Sequence, residues 1–374
     1  MKNIKLTSTI VFCLIILPIL YAANGNACTS LALKAEDGAI VYGRTMEWGA
    51  FDLNSRVSIM PRGYKFTSLT PDGKPGHKWK ARYGVVGLDA LEKDIITDGM
   101  NEKGLVVGVL FFPGFAEFQS YDPAQADISV SNLELANFIL SKFATVDEVR
   151  TGLKRVKVVS VDIAAIGGAV PLHFTVIEPS GKAIVIEYIK GELKIFDNPL
   201  RVMTNSPPFD WHMTNIRNYV NLSALAWPAI KLENINFAPI GAGTGFLGLP
   251  GDFTPPSRFI RAVAFTQTSR KLTDGDEALY EVLRIMDNFN LPLGAAEGSD
   301  NAVDPKLLKG MRSSTIWTTA ADTRNLKFYY HTQHNRKLRM IDLTKLDFST
   351  ETIIHLPLDN KKEQEIEDVT PKLQ

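Results

Sequence analysis

The sequence predicts an α+β fold, one domain of layered sheets and helices. Three observations carry this. Strand-like runs fill residues 28 to 120, helical patterns follow, and strands return near the C-terminus. No internal repeat and no linker divides the 374 residues. A composition that is 45% hydrophobic and 22% charged supports a large core. Strands and helices that share one core without a regular β-α alternation are a mark of α+β layering.

The elements follow in order. "TSLALKA" and "AIVYGRTMEW" read as strands around the turn Glu36-Asp37-Gly38, and "RVSIMPR" as a third. "PDGKPGHK" (Pro71 to Lys78) is turn-rich loop. "DIITDGM" and "GLVVGVLFF" flank Asn101 to Gly104, a hairpin signal. Residues 131 to 155 read as helical, with capping-box spacings at Ser131/Glu134 and Thr145/Glu148. A strand meander, "LHFTVIEPSGKAIVIEYIKGELKIFDN", breaks at Pro179-Ser180-Gly181 and Lys190-Gly191. "FDWHMTNIRNYVNL" and "GDEALYEVLRIMDNF" read as helices, and "SSTIWTTAADTRNLKFYYHTQHNRKLRMIDL" as strands. Residues 359–374 are charged and apolar-poor, a mobile tail.

Residues 1–27 read as a signal peptide. Lys2 and Lys5 supply the positive end, "IVFCLIILPIL" the apolar stretch, and Gly25 and Ala27 the small residues before a cut. The apolar stretch is short for a membrane span and contains Pro18. A periplasmic or secreted catalytic domain of residues 28–358 is therefore expected. Charges balance at 41 against 41. That leaves no basic footprint for nucleic acid and no stable membrane association. Cys13 lies in the leader, so Cys28 is the one cysteine of the processed chain. An unpaired cysteine in a secreted chain suggests a reactive thiol or an intermolecular bridge.

Cys28 at a new N-terminus suggests a mechanism. A thiol nucleophile needs a base, and a free α-amino group, with an ordinary pKa of about 7.7–8.0, suits the task. Cleavage before Cys28 would put nucleophile and base on one residue. The alternative is a non-catalytic envelope lipoprotein with Cys28 lipidated, although the expected aliphatic residue three positions before it is absent.

"CTSLAL", "GRTMEWG", "DGMNEKGLVVGVLFFPG", "VMTNSPPFDW" and "GTGFLGLPGDFTPPSRFIRA" occur in this order. In them the chain resembles the choloylglycine hydrolase and penicillin V acylase family of N-terminal-nucleophile hydrolases. The resemblance implies an αββα sandwich, two stacked and mainly antiparallel sheets between helix layers. It implies Cys28 as nucleophile, Arg44 beside the thiol, and Asn205 as a side-chain oxyanion donor. Glu47 matches an acid that holds the α-amine, where many members carry Asp. The backbone N–H of Phe111 matches the second oxyanion donor, and Arg258 a second site arginine. Phe111 falls where bile-salt hydrolases tend to carry Asn and penicillin V acylases Tyr. Trp48, Phe111 and Phe112, and less strongly Phe115, are candidate walls of an apolar substrate pocket. The implied reaction opens a linear amide with an apolar acyl group, such as a conjugated bile salt or penicillin V, through a thioester. No metal or organic cofactor is implied, and a homotetramer is.

Two weaker signals fall away. "GTGFLG" (Gly243 to Gly248) fits GxGxxG but is followed by loop residues, not a helix. His331 and His334 lie three apart in a strand-like stretch, a poor spacing for a metal pair.

Overall fold

The computed structural model describes residues 28–49, 52–163, 168–296, 312 and 315–373. The expected signal peptide, residues 1–27, lies outside them. Two antiparallel sheets dominate. The first runs in the order β1 (Cys28–Lys34), β2 (Ile40–Glu47), β10 (Thr315–Asp322), β11 (Lys327–Thr332) and β12 (Arg339–Asp342). The second holds β3 (Arg56–Met60), β4 (Val85–Ala90), β5 (Lys93–Asn101), β6 (Val106–Phe111), β7 (Leu172–Ile177), β8 (Ala183–Ile189), β9 (Glu192–Asp197) and β13 (Ile354–Pro357). Its order is β9-β8-β7-β6-β5-β4-β3-β13.

Helices cover the outer faces. On the second sheet lie α1 (Leu135–Lys142) and α2 (Val146–Leu153). On the first lie α4 (Pro255–Thr268) and α5 (Gly275–Met286), while α3 (Phe209–Asn215) packs on α4. This is the expected αββα sandwich, and its two apolar cores follow from it. One core fills the space around the first sheet, with Leu31, Tyr42, Leu110, Val185, Phe259 and Trp317. The other joins the second sheet to α1 and α2 through Val107, Phe174, Ile139 and Val149.

Turn chemistry explains the corners. Gly104 closes the β5–β6 hairpin at φ +77°, and a Cβ there would lie 2.3 Å from the Thr323 carbonyl. The Asn101 side chain completes that corner, accepting from Lys103 N–H and Leu105 N–H and donating to the Leu140 and Phe143 carbonyls. Thr145 caps α2 by accepting from Glu148 N–H at 3.2 Å.

The paired signal at Ser131/Glu134 resolves differently. The Glu134 carboxylate leaves its helix and accepts from Ser68 Oγ and Leu69 N–H. α1 therefore starts at Leu135 with no side-chain cap. The loop expected at Pro71 to Lys78 is shorter than its composition suggests, because Pro75–Lys80 is a strand paired with Lys65–Leu69. Trp79 anchors that strand by stacking on Phe66. The charged C-terminal segment makes contacts at its start. Asp359 pairs with Arg339, Lys362 with Asp52, and Glu365 with Lys337.

Candidate active site

Strand register builds the first half of the site. β1 and β2 pair so that Cys28 lies opposite Met46 and Ser30 opposite Arg44. Side chains two residues apart on a strand share a face, so Arg44 and Met46 both rise beside the Cys28 side chain. Arg44 Nη2 lies 3.4 Å from Cys28 Sγ. Cys28 is 2% exposed and the guanidinium fully buried.

Arg44 is itself held from the second sheet. Its Nη1 donates to the Thr97 carbonyl at 2.6 Å and lies 3.5 Å from Asp98 Oδ2. Asp98 Oδ2 also accepts from Tyr42 Oη at 2.8 Å, and Oδ1 from Thr319 Oγ1 at 3.1 Å. Gly108 makes this contact possible, since a Cβ there would lie 2.3 Å from the Tyr42 hydroxyl. Burial pushes the Asp98 carboxyl up to about 6, against the pull of Arg44. Burial opposes the Arg44 charge too, but the sulfur and Asp98 hold it above its ordinary range. The guanidinium completes its surroundings by lying over the Trp317 ring at 5.1 Å.

The second half comes from distant chain. The segment at Met203 bridges the edge of β1, exchanging backbone bonds with Ser30 at 2.8 and 3.0 Å. That bridge brings Asn205 to the start of β1. Asn205 Oδ1 accepts from Cys28 N–H at 2.8 Å and from Arg258 Nη2 at 2.7 Å. Two donors on one atom fix the amide's orientation. Its Nδ2 then donates to the Phe111 carbonyl at 2.7 Å and keeps a second hydrogen. Arg258, in the first turns of α4, also donates to the Cys28 carbonyl at 2.5 Å and to Thr29 Oγ1 at 2.7 Å. Burial lowers Arg258 to about 10, against the attraction of Glu47.

Two buried histidines brace the Asn205 segment, and neither stands out in the sequence. His212 Nε2 lies 2.9 Å from the Asn205 carbonyl, and its ring stacks on Phe259. Burial lowers His212 to about 4, so at neutral pH its Nε2–H donates to that carbonyl. His173 bridges Glu187 and the Thr204 carbonyl at 3.2 and 3.0 Å. Asp98 is legible only as part of a hairpin motif; its signal is an acid beside Gly99 inside a strand that reads as buried.

Cys28, Arg44, Asn205 and Arg258 thus converge. Glu47 sits differently from its expected place. The Cys28 nitrogen donates to Asn205, whereas Glu47 lies opposite Thr315 in the sheet and accepts from Thr315 Oγ1 at 3.0 Å. Its Oε2 is buried without a hydrogen-bond partner among the described residues. Burial raises its carboxyl to about 7, opposed by Arg258.

An apolar pocket opens on the sulfur. Cys28, Arg44 and Glu47 line its reactive end, and Trp48 and Phe111 are among its walls. Those two rings meet edge to face at 6.5 Å. Phe112 is a correction. Alternation along the chain sends it away from Val109 and Phe111, where it is fully buried and stacked on His173 at 4.3 Å. Phe115 stacks on the far side of Phe112 and is 42% exposed, so it lines no part of the pocket either. Phe112 N–H donates to the Pro171 carbonyl, so the Phe111 N–H and carbonyl point away from β7, toward Asn205.

Elsewhere among the described residues, one group offers metal-type ligands, Asp89, Asp94 and His355, within 4.8 Å of one another. Arg56 already forks onto Asp89 through Nε and Nη2, at 2.9 and 2.7 Å. A cation would have to displace that charge, so this group makes a poor metal site.

Comparison with known proteins agrees with this geometry. Residues 28–356 match the family of linear amide C-N hydrolases, choloylglycine hydrolase family. The chain is 34% identical over 322 residues to a bile salt hydrolase/transferase of Clostridium perfringens, covering 85% of this chain and 93% of that protein. It is 27% identical to a penicillin V acylase of Pectobacterium atrosepticum, covering 83% of this chain and 78% of the other. Among solved structures, the conjugated bile acid hydrolase of Clostridium perfringens superposes with a TM-score of 0.77 at 28% identity, covering 92% of this chain and 100% of that one. The penicillin V acylase of Agrobacterium tumefaciens superposes with a TM-score of 0.70 at 26% identity, covering 89% and 92%. The chain belongs to the choloylglycine hydrolase family and is a hydrolase of linear amide C–N bonds.

Proposed function

We propose that this member of the family is a secreted or periplasmic enzyme whose nucleophile is Cys28, released as the N-terminus by cleavage after Ala27. One observation carries the reading. The sulfur lies 3.4 Å from the Arg44 guanidinium, while the nitrogen of the same residue is held 2.8 Å from Asn205 Oδ1.

In the processed chain that nitrogen is an amine. It takes the thiol proton as the sulfur attacks the amide carbonyl carbon. Negative charge moves to the carbonyl oxygen, where the second Asn205 Nδ2 hydrogen and the Phe111 N–H receive it. The intermediate collapses, the C–N bond breaks, and the departing amine takes the proton back from the ammonium. A thioester remains. Water, giving its proton to the same amine, adds to it, and the carboxylic acid leaves as the thiol is restored. Arg44 supplies positive charge to the sulfur throughout. Arg258 holds the Cys28 carbonyl and Asn205 in register. Glu47, one methylene longer than Asp, lines the reactive end of the pocket and accepts from Thr315 Oγ1.

The substrate is an amide with an apolar acyl group, of the conjugated bile salt or penicillin V kind. A homotetramer is part of this proposal, on family resemblance alone. The lipoprotein alternative fits poorly, because the lipid would have to be carried on a cysteine that is 2% exposed.

Two leaderless forms of the chain test the reading. One begins Met-Cys28 and is trimmed by the host; the other begins Met-Lys-Cys28 and is not. The trimmed form is expected to hydrolyse amides and the untrimmed form, with equal solubility and fold, to be inactive. Equal turnover by the untrimmed form, its N-terminus confirmed by mass, overturns the amine as base.

A further inference from the structure

We propose that a second cavity, on the far side of the catalytic pocket's wall, binds a small monocarboxylate with an apolar body. Hydrolysis of linear amides releases carboxylic acids, so the reaction itself makes molecules of this class. Neither the cavity nor its ligand depends on the reading of Cys28 as nucleophile.

The cavity encloses about 300 Å³ where β10 and the end of β11 meet the edge strands β3 and β13. One partition separates it from the Cys28 pocket. Leu53 and Leu91 face the catalytic pocket, whereas Asp52, Asn54 and Glu92 face this cavity. Leu91 N–H donates to the Leu53 carbonyl at 2.7 Å, which ties the two stretches together. Trp317 closes the remaining side, its Nε1 donating to Ser55 Oγ at 3.2 Å. Among the described residues, none lines both spaces.

His334 points to a ligand. It lines the cavity and is 5% exposed. Its backbone N–H donates to Thr332 Oγ1 at 3.3 Å, but its imidazole has no hydrogen-bond partner among the described residues. Buried polar side chains are ordinarily paired, so an unpaired ring in a cavity wall offers a place for a polar group. Burial lowers the imidazole pKa, Lys362 and Arg312 acting with it and Asp359 and Asp52 against. The ring is therefore neutral at pH 7 and has one N–H to give.

The charged groups around the cavity set the sign of the ligand. Arg56 spends Nε and Nη2 on Asp89, and its Nη1 is unused among the described residues. Lys362 spends one N–H on Asp52, at 2.7 Å, and an ammonium has three. The acids are better satisfied. Asp52 accepts from Lys362 and from Asn54 N–H, and Asp359 from Arg339 and Thr332 Oγ1. Glu92 is exposed and is the one lining carboxylate without a partner among the described residues. Spare donors thus outnumber spare acceptors, and a carboxylate suits them. Ile316, Pro357 and Leu358 supply apolar wall for the rest of the molecule. The volume is at the lower end of the roughly 300–1,000 Å³ usual for ligand sites, which keeps the acid small.

Octanoate is the probe, titrated calorimetrically into the leaderless chain carrying Cys28→Asp. That substitution sets a carboxylate beside Arg44 and discourages acids from the catalytic pocket. One bound octanoate is expected. Octylammonium, of equal length and opposite charge, should bind at least about ten-fold more weakly, and so should acetate, which lacks the apolar body. His334→Leu should weaken octanoate binding by about ten-fold and Lys362→Met by about five-fold, as expected for losing a hydrogen bond to a charged group. The Lys362 side chain is 60% exposed, so Lys362→Met keeps the fold even where His334→Leu does not. The same loss is expected in Lys362→Met with Cys28 retained, because Lys362 lines no part of the catalytic pocket. No octanoate binding, binding unchanged in Lys362→Met, or octylammonium or acetate bound as tightly as octanoate overturns the proposal.

Discussion

The two halves of the site are held by different means. Cys28, Arg44 and Glu47 lie on paired strands, and pairing register alone puts Arg44 beside the sulfur. Asn205 lies in an irregular segment, with no ladder of its own beyond the Met203–Ser30 bridge. Side chains hold it instead. His173 grips the Thr204 carbonyl, His212 the Asn205 carbonyl, and Ser206 Oγ donates to the Pro113 carbonyl. A residue placed by a sheet inherits the cooperativity of many backbone bonds. One placed by braces depends on a few contacts, each open to a single substitution. The strand half should therefore respond to changes in chemistry, and the braced half to changes in position as well.

Substitutions at four residues put that contrast to measurement, the largest effect first. Cys28→Ala should abolish turnover while the thermal midpoint stays within a few degrees of the parent, because the ladder and not the side chain positions residue 28. Amidase activity above a trace would remove Cys28 from the chemistry.

Asn205→Ala should lower kcat by roughly 10²–10³, with a smaller change in KM, since the donor acts on charge that develops in the transition state. Steady-state kinetics decide this. A change confined to KM would reassign Asn205 to substrate binding.

His212 tests the brace. His212→Ala should lower kcat by about ten-fold through a displaced Asn205, with KM little altered, and His212→Gln should restore most of it by presenting an amide N–H near the same carbonyl. His212 is lowered to about 4 and stays neutral above pH 5.5. The pH profile of kcat from 5.5 to 8 should therefore keep its shape in both variants. A profile that moves would mean the imidazole takes part in proton transfer.

The smallest effect concerns Glu47 and stability. Burial raises its carboxyl to about 7, well above the ordinary value near 4.5. Between these values the folded chain keeps a proton that the unfolded chain has lost. Stability therefore falls as pH rises through this window. Glu47→Gln removes that proton exchange, so its thermal midpoint should gain on the parent between pH 5 and pH 7.5. A parent and variant that move in parallel would place the Glu47 titration outside the window.

Much of this is legible in the chain itself. The hairpin around Gly104 and the cap at Thr145 are readable because each depends on a few adjacent residues and their turn chemistry. Glu134 shows the limit. Its spacing from Ser131 satisfies the capping pattern, yet a distant hydroxyl on Ser68 takes its carboxylate. Phe112 shows another limit. Composition places it with its aromatic neighbours, while the residue just past the end of β6 turns to the opposite side from Phe111 and stacks on His173 instead.

The sequence by itself determined the order of strands and helices, the cysteine that opens the first motif, Cys28, and the candidate residues around it. Those features are local, or they are carried by motifs whose residues lie together in the chain. The tertiary structure decided what those residues touch. It put Asn205 on the Cys28 nitrogen across 177 positions, and Arg258 on the Cys28 carbonyl across 230. It also set Asp98 against Arg44 from the opposing sheet and gave the pocket its width. Such contacts depend on how two sheets stack and how a loop closes, and no spacing within one strand or helix encodes them.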